Sequence, residues 1–165
     1  MTMAELNAYG RTEFIRALGA IFEDSPWVAE RAWDRRPFGS LDELHTVMMD
    51  VVEAATDAER LALLRAHPDL GTRARISDAS TGEQRGAGLD RLYASEFARL
   101  QALNNGYREK FGFPFLFAVK GGTKDDVLAA LEARSRRGMD DELAEALRQV
   151  SRIARLRLEE LGLDG

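Results

Sequence analysis

Apolar residues recur at three- and four-residue intervals along nearly the whole chain, and that spacing predicts helices. Phe14, Leu18, Ile21 and Phe22 make one apolar helical face. Ser25-Pro26 predicts the start of a second helix, with proline accepted at its first position. That helix runs through Trp27, Ala32 and Trp33 and stops before Pro37. Ser40 to Glu43 and Thr56 to Glu59 read as capping boxes. The first opens a helix carrying Leu44, Val47, Met48, Val51 and Val52, and the second a shorter helix through Leu61 and Leu64 toward His67. After a polar stretch, Leu89, Leu92, Tyr93, Phe97, Leu100, Leu103, Tyr107 and Phe111 keep helical spacing, with Gly112 as the natural stop. Thr123 to Asp126 opens a further helix that Gly138 is expected to end. A last helix carries Leu143, Leu147, Val150, Ile153, Leu156 and Leu161 and is closed by Gly162.

One segment departs from this period. Phe111 to Val119 is almost continuously apolar, and Pro114 forbids a helix interior there. By pattern it reads as a strand, but no second strand-like run exists to pair with it. The expectation is therefore an all-α fold, one domain over residues 1–165 with about seven to nine helices, and one extended buried connector near 113–120. Buried extended backbone must satisfy its N–H and C=O groups. Without a sheet to take them, a polar ligand is one candidate.

Composition narrows the function. A length of 165 residues suffices for a sizeable core. The net charge of −5, with both signs interspersed, argues against nucleic acid or an anionic membrane as partner. The absence of cysteine removes disulfides, thiol catalysis and Cys-type zinc sites. No apolar run approaches the roughly 20 residues of a membrane span. Residues 1–7 lack a secretory pattern, and Gly162-Leu163-Asp164-Gly165 is not a peroxisomal address, so a cytoplasmic protein is expected.

The chain has two histidines. His67 falls at a helix end directly before Pro68. It reads either as a cation at the negative helix terminus or as an acid–base group on a helix-to-loop corner. His45, on a helix of mixed face, reads as surface or structural. Ser80-Thr81-Gly82-Glu83 fits a capping box. The same turn, with Gln84, could present a carboxylate, a hydroxyl, an amide and free backbone N–H groups to a ligand. Arg152, Arg155 and Arg157 read first as a solvated basic face, and Arg134 to Arg137 as cations at a helix end. Arg157, however, is four residues after Ile153, which places it beside a buried stripe. An inward arginine needs an anion: Glu83, another carboxylate, or a substrate. Neither a P-loop, a nucleophile elbow nor a metal-spaced cluster is present, so catalysis would have to be cofactor-free acid–base chemistry.

Taken in order, these motifs resemble one family. They are Trp33-x-x-Arg36-Pro37-Phe38, His67-Pro68-Asp69-Leu70, Ser80-x-x-Glu83-Gln84-x-x-Ala87-Gly88-Leu89, Tyr107-x-x-Lys110-Phe111-Gly112-Phe113-Pro114-Phe115 and Ile153-x-x-Leu156-Arg157-Leu158. The set is similar to the OHCU decarboxylases, which act on 2-oxo-4-hydroxy-4-carboxy-5-ureidoimidazoline (OHCU), a late intermediate of urate breakdown. The resemblance spans essentially the whole chain. It implies an all-α homodimer that converts OHCU to (S)-allantoin without metal or organic cofactor. It also implies that His67, Glu83 and Arg157 are catalytic. Pro68, Ser80, Thr81, Gly82, Gln84 and the main chain of Phe115, Leu116, Phe117, Ala118 and Val119 match the substrate-binding positions. Gly71 and Gly82 depart from the commoner family residues without touching a catalytic side chain. Two other readings stay open: a non-catalytic helical module binding a ligand or partner, and a related cofactor-free lyase or hydrolase acting on another ureido or imidazole compound.

Overall fold

In a computed structural model, which describes residues 1–69, 94–118 and 123–163, every regular element is helical. The helices are α1 (Met3–Ala8), α2 (Arg11–Leu18), α3 (Trp27–Ala32), α4 (Leu41–Ala54), α5 (Asp57–Ala66), α6 (Ala94–Phe111), α7 (Lys124–Arg134) and α8 (Met139–Glu160), with a 3₁₀ turn at Trp33–Arg35. The all-α expectation holds. None of the described helices is long and apolar enough to cross a membrane. The chain gathers into two compact units, one of Met1–Ala66 with Ser151–Gly165, the other of His67–Val150.

Local chemistry sets the helix ends. Thr56 and Glu59 form the reciprocal box predicted for α5, and Thr123 with Asp126 does so for α7. Thr2 and Glu5 make a third box, which opens α1, an element the apolar spacing did not announce. At α4 only half a box forms. Ser40 accepts from the Glu43 N–H, but the Glu43 carboxylate takes the Gly39 N–H instead. Gly112 and Gly162 end α6 and α8 in the left-handed region, at φ 80° and 66°.

Three expectations need correction. α2 stops at Leu18, so Ile21 and Phe22 are buried from a turn rather than from the helix. A Cβ on Gly19 would stand 2.6 Å from the Ile15 carbonyl oxygen, so only glycine fits that exit. Gly138 does not end α7. Its carbonyl accepts from the Glu142 N–H at 3.0 Å, which makes it the start of α8. Asp140, Asp141 and Glu142 follow in the first turn, where negative charge complements the dipole. Finally, Leu143 is exposed. The buried stripe of α8 runs instead through Glu142, Ala146, Gln149, Val150, Ile153, Ala154, Arg157 and Leu158.

In the first unit, Phe14 packs edge-on against Trp33 and stacks on Phe38. Asn7 completes the main chain of Phe38 from both sides. Its amide donates to the Phe38 carbonyl at 2.8 Å and its oxygen accepts the Phe38 N–H at 2.8 Å. His45 bonds through Nε2 to the Ser151 carbonyl at 2.9 Å, a structural contact as expected. In the second unit, the buried Tyr107 ring meets Phe111, Phe113 and Phe115. Lys110 donates to the Ser135 and Arg137 carbonyls just past the end of α7.

Candidate active site

His67 follows the last residue of α5 and is buried, 5 % exposed. Pro68 and Asp69 are half-buried, and the Asp69 carboxylate accepts from Arg108 at 2.7 Å, which ties the corner to α6. Pro68 biases His67 away from helical backbone, so α5 cannot continue through it.

The connector after α6 is non-helical, as Pro114 dictates. Phe113, Pro114, Phe115 and Leu116 are buried, and Phe117 and Ala118 half-buried. The Phe115 and Phe117 rings lie nearly parallel, 12° apart, with centroids 6.0 Å from each other. Two of its main-chain polar groups are met by side chains rather than waiting for a ligand. The Leu116 carbonyl accepts from Arg134 at 2.5 Å, and the Ala118 N–H donates to Gln149 Oε1 at 2.9 Å.

Behind this connector lies a buried charge cluster. Arg134 Nε donates to Glu142 Oε1 at 2.8 Å, and the Tyr107 hydroxyl donates to the same oxygen at 2.6 Å. Arg137 stands 3.2 Å from the other oxygen. The Arg134 guanidinium also covers the face of Phe115 at 4.5 Å. Burial, followed by the bond to Glu142, pushes the Tyr107 phenol above its ordinary range. Arg134 does stand at a helix end, as the Arg134–Arg137 run suggested, but its side chain is buried in the core.

In the other unit, Arg157 turns inward as its place after Ile153 predicted. Its guanidinium donates to the Ile21 carbonyl at 3.2 Å and approaches Glu23 Oε1 at 3.5 Å, with both side chains 4 % exposed. Of the anions considered for Arg157, the described residues supply another carboxylate, Glu23. Arg155 pairs with Asp42 and Glu159, and Arg152 is exposed, so those two behave as surface cations.

His67, Pro68 and Phe115 to Ala118 belong to one unit, and Arg157 to the other. Ser80, Thr81, Gly82, Glu83, Gln84 and Val119 lie outside the described residues. Among the described residues no cluster of His, Asp and Glu could hold a metal ion. Glu142 and Gln149 escaped the sequence reading. The signal was there: Glu142, Ala146 and Val150 share one i, i+4 stripe.

A family model described as OHCU decarboxylase matches residues 7–159. A 2-oxo-4-hydroxy-4-carboxy-5-ureidoimidazoline decarboxylase of Haloferax volcanii is 48% identical over 160 residues, covering 97% of this chain and 95% of its own. That of Halalkalicoccus jeotgali is 45% identical over 161 residues, covering 98% and 92%. Among solved structures, (S)-allantoin synthase superposes with a TM-score of 0.81 at 32% identity. That match covers 97% of this chain but only 54% of the longer one. An OHCU decarboxylase crystallised in the presence of (S)-allantoin gives 0.72 at 25% identity, covering 92% and 98%.

Proposed function

Because the chain belongs to the OHCU decarboxylase family, we propose that His67, Glu83 and Arg157 carry out its reaction, the decarboxylation of OHCU to (S)-allantoin in urate degradation. The chain is a carboxy-lyase, and the observation that carries the reading is a family match whose 7–159 span takes in all three residues and the Phe115–Val119 connector. That match favours an enzyme over a non-catalytic helical module.

The chemistry asks for few tools. When the carboxylate carbon leaves as CO2, its bonding pair passes into the adjacent carbonyl and imine system of the ring. Hydrogen-bond donors aimed at that charge lower the barrier. His67, oriented by Glu83, assists at the substrate hydroxyl or carboxylate. It then delivers a proton to one face of the ureido-bearing ring carbon, which fixes the product's hand, while the hydroxyl on the carbon that lost CO2 gives up its proton to become the product's carbonyl. Such acid–base help is worth about 10²–10⁴-fold. Arg157 neutralises a carboxylate, the substrate's or a protein one. Its buried setting beside Glu23 supports a charge-balancing role. Pro68, Ser80, Thr81, Gly82, Gln84 and the main chain of 115–119 bind the planar ureido-imidazoline through amide-like pairs. The reading includes one domain over 1–165, a cytoplasmic homodimer and no cofactor.

The test is a coupled assay from urate. OHCU loss is followed by absorbance, and allantoin by circular dichroism. His67→Ala and Glu83→Ala are each expected to lower turnover by about 10²-fold or more. Near-normal turnover of freshly made OHCU by either variant would refute the assignment.

A further inference from the structure

The buried stripe of α8 carries two polar side chains to which the reaction assigns no part, and both lead to the same few atoms of main chain. Gln149 Oε1 accepts the Ala118 N–H at 2.9 Å. Glu142 receives one arm of Arg134, whose other arm donates to the Leu116 carbonyl at 2.5 Å. Leu116 and Ala118 flank Phe117. Among the described residues the Phe117 N–H and C=O have no hydrogen-bond partner, and the residue is half-exposed. An extended buried segment normally has its polar groups met by a neighbouring strand. Here side chains from two helices each hold one group of the two peptide planes that meet at Phe117, and leave the opposite groups of those planes, the Phe117 N–H and C=O, open.

A charged device is a costly way to fill a core. Glu142 is fully enclosed, and Arg134 Nη2 is buried without a hydrogen-bond partner. Apolar residues of similar volume fill such a space at least as well. What they cannot do is fix the direction of a carbonyl. We propose that Gln149 and the Arg134–Glu142 pair are positioning residues, which hold the Leu116 carbonyl and the Ala118 N–H so that the Phe117 N–H and C=O, on the opposite sides of the same two peptide planes, face the amide-like edge of the substrate ring. The inference rests on the reading of the 115–119 main chain as a substrate-binding element.

Gln149→Met keeps the length of the side chain and removes the acceptor. The expected result is faster amide exchange at Ala118. KM for OHCU should rise several-fold to about tenfold, as for loss of one neutral hydrogen bond, with kcat changed by less than about twofold. Gln149 also donates to Glu145 at 3.2 Å. Gln149→Glu combined with Glu145→Gln reverses that contact while keeping an acceptor for Ala118, so exchange and KM should return toward the parent values. Arg134→Lys, which keeps a cation beside Glu142 but gives up the second arm, should raise KM in the same direction. Unchanged exchange in Gln149→Met overturns the inference, as does faster exchange with an unchanged KM. The underlying reading is checked apart, by titrating (S)-allantoin into the parent protein and following the Phe117 amide resonance. Binding that leaves this resonance unmoved overturns the role of the segment. A resonance that moves, with a Gln149→Met variant that behaves as the parent, overturns only the positioning role.

Discussion

Replacing Arg134 by methionine takes a cation from beside a carboxylate that has no access to water. Glu142 is 0 % exposed and would lose the Nε bond at 2.8 Å. It would keep the Tyr107 hydroxyl at 2.6 Å and the half-exposed Arg137 at 3.2 Å. Breaking a buried ion pair on one side costs roughly 3–5 kcal/mol. With Arg137 still near, the lower end applies, about 3 kcal/mol. For a chain of this length each kcal/mol lowers Tm by roughly 2–4 °C, so the fall should be about 6–12 °C. Tyr107→Phe removes only a hydroxyl bonded to a charged group, worth about 1.5–3 kcal/mol. The triple variant Arg134→Met, Glu142→Leu, Tyr107→Phe removes the three buried polar side chains together and should recover much of the loss, because the remaining cation, the half-exposed Arg137, can turn to water. Guanidinium unfolding of the parent, the three single variants and the triple variant measures all of this. An Arg134→Met penalty below about 1 kcal/mol would refute the reasoning. So would a triple variant as unstable as the sum of the three.

Two smaller outcomes follow from the first unit. Asn7→Leu removes both bonds to the Phe38 main chain and should cost about 1–3 kcal/mol in urea unfolding; a neutral result would mean that water replaces the amide at no cost. The Arg31 guanidinium, helped by Thr56, holds the Glu59 carboxyl down at about 2, against an ordinary 4.5. Its folded value is the lower one, so the stability it contributes is complete above 4.5 and is lost as pH falls from there toward 2. Both groups are at the surface, so the effect is small and salt-sensitive. Acid unfolding followed by circular dichroism should be shallower over that window in Glu59→Gln, and parallel curves would contradict the attribution.

Much of the architecture could be read from apolar spacing and helix-end residues, because those are local. Thr56, Thr123, Gly112 and Gly162 each act within a turn of their own position. Pro114 likewise announced the break after α6. What escaped depended on distant partners or on polar residues in apolar places. The inward turn of Arg157 was visible from Ile153, but Glu23 lies 134 positions away and nothing local marks it as the partner. Leu143 reads as core because it is apolar, while the buried position belongs to its neighbour Glu142. Gly138 looked like an end and proved a beginning, because three acids after it favour a helix start. Of the candidate site, His67 stands out in the sequence as a rare titratable group and the connector as an unpaired apolar run. The hold of Arg134 and Gln149 on that run does not, since it joins residues 18 and 31 positions from their targets.

Glu142 and Gln149 hang from the same α8 stripe about two turns apart, and each has a fixed target in the connector or its anchor. A single amino acid gained or lost between them would rotate one by about 100° out of line. Spelling in this stretch can therefore drift at the outward letters, but its letter count cannot. Over evolutionary time, α8 should behave as a ruler whose markings are polar and whose length is the inherited trait.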